Sequence, residues 1–112
     1  MEMGLTRGDI VTVAPPGEFG KPRPAIVIQS DFFAQTETVV VLLITSELRD
    51  LPLIRVSIET DQFSGLNKPS QIMLDKIMTV KREKIGTVFG KITKDKLLDI
   101  EIKLAVFLGI AK

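Results

Sequence analysis

The chain has no cysteine, no histidine, no tryptophan and no tyrosine. Without cysteine there is no disulfide framework and no thiolate nucleophile. Without histidine the commonest general acid–base is missing, a Ser-His-Asp triad cannot be assembled within the chain, and a structural zinc site loses both of its usual ligand types. Carboxylates are present but scattered, with no Asp-x-Asp or Glu-x-x-Glu cluster of the kind a two-metal nuclease would need. The longest apolar run, Val39 to Ile44, is far short of the roughly 20 residues of a membrane helix. The start, Met1-Glu2-Met3-Gly4, lacks the basic-then-apolar pattern of a secretory signal, so a cytoplasmic protein is expected.

What is present supports one folded domain over residues 1–112. Hydrophobic residues make up 45% of the chain, enough for a core, and charged residues 26%. The net charge of +1 hides an asymmetry: residues 1–62 carry five basic and nine acidic side chains, residues 63–112 ten basic and five acidic. Lys76, Lys81, Arg82, Lys84, Lys91, Lys94 and Lys96 concentrate the positive charge. Such clustering suits a phosphate-binding face, although on its own a solvated surface beside a helix is the simpler reading.

The pattern along the chain is mostly β with one C-terminal helix. Asp9–Val13, Pro24–Gln29, Thr38–Ile44, Ile54–Glu59, Gln71–Val80 and Thr87–Ile92 read as strands, the second and third as continuous β-branched runs covered on both faces. In the fourth, Ile54, Val56 and Ile58 should face the core and Arg55, Ser57 and Glu59 face out. In the fifth, the even positions Ile72, Leu74, Met78 and Val80 should share one apolar face, interrupted by Lys76, and Gln71, Asp75 and Thr79 a polar one. Asp31 is expected to cap a short turn over Phe32, Phe33 and Ala34. Thr93 should cap a helix with Asp95 in its first turn, running to about Leu108 and ending near Gly109. Leu97, Leu98, Ile100, Leu104, Ala105, Phe107 and Leu108 form its expected packing stripe. Short strands plus one helix imply a curled, barrel-like antiparallel sheet.

The chemistry left to such a chain rests on Arg, Lys, Ser, Thr, Asp and Glu. That inventory suits metal-free RNA cleavage, in which the substrate's own 2′-hydroxyl attacks the adjacent phosphorus. The protein then needs only to orient that hydroxyl, move a proton and neutralise the phosphorane. One segment stands out for the purpose: Lys21-Pro22-Arg23-Pro24-Ala25-Ile26-Val27-Ile28-Gln29-Ser30-Asp31. Pro22 fixes its own φ and Pro24 drives Arg23 toward extended geometry, so the guanidinium projects from a constrained backbone. On local physics alone, a solvated arginine at the mouth of a strand is the simpler reading.

This segment, with Arg7-Gly8-Asp9-Ile10-Val11 upstream and Leu43-Ile44-Thr45-Ser46 downstream, resembles the MazF/PemK family of toxin endoribonucleases over nearly the whole chain and in the family's order. The resemblance implies an SH3-like curled antiparallel barrel of the CcdB/MazF type, assembled as a two-fold homodimer. It implies no cofactor and no metal, single-stranded mRNA as substrate, and a small, partly disordered antitoxin protein as partner. By the same resemblance Arg23 would bind the scissile phosphate and help protonate the leaving oxygen. Thr45 would hydrogen-bond the phosphate or the 2′-hydroxyl, and a strand-end threonine bonded to a loop is the structural alternative. Asp75 is a candidate general base, or the partner in a local salt bridge. Lys21, Ser46, Lys76 and Thr79 are candidate RNA contacts. Phe19, in a loop Pro16–Pro22 that corresponds to a family loop gating the RNA site, would stack on a base or pack on the barrel.

One departure is visible. Where the family often shows an acidic-Gln-Ile-Arg-Thr segment, this chain has Asp75-Lys76-Ile77-Met78-Thr79, with Met78 in place of the arginine. Lys76 is the candidate to restore the charge, although strict alternation sets it opposite to Asp75. Two other readings fit the same fold: a CcdB-like gyrase-poisoning toxin, which relies on a C-terminal Trp-Gly-Ile where this chain has Leu108-Gly109-Ile110, and a catalytically silent SH3-like interaction module.

Overall fold

Runs of Val, Ile and Leu, separated by segments bearing Pro and Gly, form six strands in the computed structural model, which describes residues 4–14 and 21–111. They are β1 (Asp9–Val13), β2 (Arg23–Val27), β3 (Thr38–Thr45), β4 (Arg55–Ile58), β5 (Ser70–Lys81) and β6 (Ile85–Lys91), followed by the helix α1 (Lys94–Phe107). All pairings are antiparallel, in the order β4-β5-β3-β2-β1-β6. This is the mainly β fold with a C-terminal helix expected from the sequence. Two boundaries differ from expectation in a way that matters: β2 begins one residue earlier, at Arg23, and β3 ends one residue later, at Thr45. Gln29 lies outside β2. Its side chain instead donates to the Phe33 carbonyl at 3.0 Å and Thr36 Oγ1 at 2.7 Å and accepts from the Val40 N–H at 3.1 Å.

Each face of the sheet carries its own core, as alternation requires. Ile10, Ile26, Leu42, Ile44, Ile72 and Leu74 lie on one face with Val56, Ile58 and, from α1, Ile100. Val11, Val13, Ala25, Val27, Val39, Val41, Leu43, Met73 and Val80 lie on the other. In β4 the expected inward set is right: Val56 and Ile58 are buried and Ile54 packs on the first core.

The expected single parity of β5 is not. Between Leu42↔Ile77 and Ile44↔Ile72, β3 advances two residues while β5 advances five. The three extra residues of this bulge invert the alternation. Ile72 and Leu74 therefore serve the first core, while Met78 and Val80 serve the second. Gln71 pairs with Thr45, and Thr79 with Val40. Gln71 and Thr79 thus sit on opposite faces, and the shared polar face expected for them does not exist.

The sheet curls until the loop after β4 meets β6 at the far edge. The Lys91 N–H donates to the Phe63 carbonyl at 2.8 Å. The approach is so close that a Cβ at Gly90 would stand 2.0 Å from the Ser64 carbonyl oxygen, and one at Gly65 (φ +69°) 2.3 Å from that of Phe89. Only glycine fits either position.

Thr93 caps α1 by accepting from the Lys96 N–H at 3.3 Å, and Gly109 (φ +77°) follows its last turn. The stripe that packs is narrower than expected. Leu97, Ile100 and Leu104 reach the first core, whereas Leu98 (56% exposed), Phe107 and Leu108 remain about half-exposed, together with Ile102 and Val106. A second correction concerns the turn at Asp31–Phe33: its cap is Ser30, whose hydroxyl accepts from the Phe32 N–H at 3.1 Å. Asp31 is occupied elsewhere, accepting from the Arg7 N–H at 2.8 Å.

Arg7-Gly8-Asp9 is a structural joint. The Arg7 guanidinium donates from Nε to the Ile28 carbonyl at 2.8 Å and pairs through Nη1 with Glu101 of α1. Buried Asp9 accepts from the Thr6 N–H at 2.8 Å and from Lys91 Nζ at 2.9 Å. Residues 6–9 are thereby tied to the end of β2, to β6 and to the helix.

Candidate active site

Arg23 and Thr45 come together through strand register. Ala25 pairs with Leu43, so carrying the ladder two residues toward the start of β2 sets Arg23 across from Thr45. Thr45 pairs in turn with Gln71, and Gln71 with Ser57 of β4. Arg23, Thr45, Gln71 and Ser57 thus form a row across four strands, on the face of the second core.

An open groove of about 590 Å³ lies at the Arg23–Thr45 end of this row. Arg23, Thr45 and Asp75 all line it, so the three candidate catalytic residues share one cavity. Lys76 lines it as well, with Nζ 4.0 Å from Asp75 Oδ2. The bulge in β5 is what brings both adjacent side chains to one groove. That ion pair is long and exposed, and such pairs contribute little. Met78, at the position of the departure, forms part of the apolar floor with Leu43 and Met73.

The groove contains two further arginines that the sequence reading did not single out. Arg49 and Arg55 line it together with Glu47 and Leu51. Gln71 holds them: its amide oxygen accepts from the Arg49 N–H at 3.1 Å and from Arg55 Nη1 at 2.7 Å, and its amide nitrogen donates to the Arg49 carbonyl at 3.1 Å. Arg55 Nη1 also donates to the Glu47 carbonyl at 3.1 Å. The signal for Arg55 was available, because the outward face of β4 adjoins that of β5. Arg49 had none, since it sits in an irregular loop whose path is set by Gln71, 22 residues away.

Glu47 pairs with the Arg49 guanidinium, accepting from Nε at 2.9 Å and also from Nη2. The hydrogen bond and charge of Arg49, with a smaller effect of Arg55, hold the Glu47 carboxyl below its ordinary value of 4.5. The Glu47 N–H donates to Thr45 Oγ1 at 3.0 Å, which occupies a lone pair of the hydroxyl and leaves its proton to be donated. Thr45 thus supports the loop, as its structural alternative expected, and also lines the groove.

Other candidates fall outside. Ser46 and Lys21 are exposed beside the row but do not line the groove. Thr79 sits on the opposite face of β5, because the bulge has turned the strand over. Phe19 lies outside the described residues. The charge asymmetry is not what charges this groove: of the four cations lining it, Arg23, Arg49 and Arg55 come from the acidic first half and only Lys76 from the basic second half. Among the described residues no three carboxylates gather as metal ligands would. Four cations against two carboxylates, beside apolar side chains, give the groove a net positive lining, which suits an anion.

Residues 6–108 match the family model for the PemK-like, MazF-like toxin of type II toxin–antitoxin systems. A probable endoribonuclease MazF of Mycolicibacterium smegmatis is 40% identical over 108 residues, covering 96% of this chain and 99% of the relative. Among solved structures, an endoribonuclease in complex with its cognate antitoxin from a mycobacterial species superposes with a TM-score of 0.82 at 21% identity, covering 96% of this chain and 98% of the other. A MazE–MazF complex from Deinococcus radiodurans gives 0.79 at 18% identity, covering 98% and 100%. At that identity the structures speak for the fold, and the family rests on the sequence matches. On these matches the chain belongs to the PemK-like, MazF-like toxins of type II toxin–antitoxin systems.

Proposed function

We propose that this toxin is an endoribonuclease that cuts single-stranded mRNA in the Arg23–Thr45 groove, without metal, by attack of the substrate's own 2′-hydroxyl. The observation that supports the reading is that Arg23 and Thr45, brought toward each other by the β2–β3 register, line one cationic groove with Asp75. In the step, the 2′-oxygen bonds to phosphorus and the bond from phosphorus to the 5′-oxygen breaks. The Asp75 carboxylate takes the 2′-hydroxyl proton, and the leaving 5′-oxygen takes a proton from water. Thr45 donates its hydroxyl proton to the phosphate, and Arg23 carries the charge that builds on the phosphorane and on the leaving oxygen. DNA lacks the nucleophile and does not react.

Arg49 and Arg55 answer the departure at Met78, since they supply cations to the same groove from β4 and the loop before it. The gyrase-poisoning and silent-module readings find no support in the family match. Partners are inferred in the same way. The protein pairs as a homodimer, for which the exposed Leu98, Ile102 and Val106, four residues apart on α1, leave apolar surface to bury. A cognate antitoxin occupies the toxin when RNA is to be excluded.

The test is a long RNA incubated with the protein in EDTA. Discrete cuts leaving a 2′,3′-cyclic phosphate, or its hydrolysed monophosphate, and a 5′-hydroxyl are expected. A single deoxynucleotide 5′ of the cut should block cleavage while sparing binding. A 5′-phosphate product that requires Mg²⁺ would overturn the mechanism. Light scattering that finds only monomer in an active preparation would overturn the dimer.

A further inference from the structure

The wall formed by Arg49 and Arg55 has a second side. Beyond it, between the 49–57 segment and α1, lies another open groove of about 330 Å³. Arg49, Leu51 and Arg55 line both cavities, so the two are contiguous across those residues. The far bank is α1, which contributes Lys96 and Lys103 with Asp99 between them. Lys96 and Lys103 are seven residues apart, two turns, and so share one face of the helix. Asp99 answers only one of them: its Oδ2 is 3.6 Å from Lys103 Nζ. Counting Asp50, this groove holds four cations and two carboxylates, the same balance as the first.

We propose that this second groove binds phosphates of the same RNA strand beyond the cut, so that the strand crosses the Arg49–Arg55 wall and ends against Lys96 and Lys103. The inference rests on the endoribonuclease reading of the first groove and adds a subsite to it. Three observations carry it. The grooves share Arg49 and Arg55, so a polyanion leaving one meets cations at the passage to the next. Gln71 holds the backbone of Arg49 and the guanidinium of Arg55 from β5, which preorganises the wall. Arg55 also keeps Nε buried without an acceptor, so turning that edge toward a phosphate in either groove would relieve an unsatisfied donor. An acidic peptide could meet the same charges, but continuity with the cleavage groove favours the strand already bound there.

The test compares two RNAs with the same cut site, one trimmed to a few nucleotides and one extended on both sides, by kcat/KM with the full-length protein. Wild type should favour the extended RNA. Lys96→Ala/Lys103→Ala should shrink that preference by roughly tenfold and flatten the salt dependence of binding to a cleavage-blocked extended RNA by about 1 to 1.5 on the log–log slope. Asp99→Asn, which removes the competing carboxylate, should move both quantities the other way. Lys68→Ala, which removes one charge from the loop before β5, should change neither.

Equal losses on both RNAs, or unchanged preference in a folded double variant, would overturn the subsite. So would loss of antitoxin binding with the RNA preference intact, which would assign the groove to an acidic peptide. A wild type that cuts both RNAs equally well overturns the subsite alone. A wild type that cuts neither removes the endoribonuclease reading and the subsite with it.

Discussion

Arg7 and Arg23 are the arginines of two conspicuous motifs, and they lie at opposite ends of the same antiparallel pair. Arg7 sits beside the end of β2, where its backbone and side chain hold Asp31, the Ile28 carbonyl and Glu101. Arg23 sits at the start of β2, exposed and lining an open groove with three other cations. A guanidinium whose donors are spent on the protein's own carbonyl and carboxylate acts as a joint. Arg23 instead lines an open groove together with β3, the segment that follows it and the bulge of β5. Motif membership does not separate these roles; what the rest of the fold brings to each end does.

The sharpest way to break this contrast is to delete each arginine. Arg23→Ala should slow RNA cleavage by about a hundredfold or more, the usual loss for a preorganised electrostatic stabiliser, with the melting temperature nearly unchanged. Arg23→Lys should recover little, because lysine lacks the bidentate fork. Near-wild-type cutting by folded Arg23→Ala protein would remove Arg23 from the chemistry. Thr45→Val comes next: shape is kept, the hydroxyl is lost, and kcat should fall at least about tenfold. The Glu47 N–H also loses its acceptor, so stability should drop by about 1 kcal/mol. A larger stability loss with cleavage intact would make Thr45 purely a loop support.

Arg7→Ala should do the reverse of Arg23→Ala. Losing charge-assisted bonds at a half-buried joint should cost about 1–3 kcal/mol, seen as a lowered denaturation midpoint, while the folded fraction keeps its turnover number. An Arg7→Ala enzyme that melts normally but cuts poorly would collapse the distinction between the two ends.

The smallest effect concerns Glu47, which neutralises Arg49 in the groove. Its folded pKa is depressed, so whatever the pair adds to stability is present above the ordinary value of 4.5 and lost as pH falls through the lower folded value. At neutral pH the pair is therefore intact. Glu47→Gln should release Arg49 and tighten RNA binding by no more than about fivefold, with a steeper salt dependence. Unchanged affinity would show that Arg49 does not meet RNA.

Much of this architecture was legible in the residues. β-branched runs, Pro and Gly punctuation, the Thr93 cap and Gly109 stop placed β1 and α1 to within a residue or so, because those signals act locally. The Pro-Arg-Pro segment and Ile44-Thr45 located two groove residues through family resemblance. The width of the helix stripe was not legible, since which apolar residues of an amphipathic helix are covered depends on how much sheet lies beneath. Leu97, Ile100 and Leu104 found it; Leu98 and Phe107 did not.

The sequence by itself determined the strands and the helix, the missing His and Cys that narrow the chemistry, and the constrained backbone of Arg23. Each of these depends on composition or on a few neighbouring residues. Tertiary structure alone decided the β5 bulge, which turned Thr79 away while bringing Asp75 and Lys76 to one groove. It also decided the recruitment of Arg49 and Arg55 through Gln71. Both depend on pairing between segments far apart in the chain, where three extra residues in one strand reverse a face and no local pattern records it.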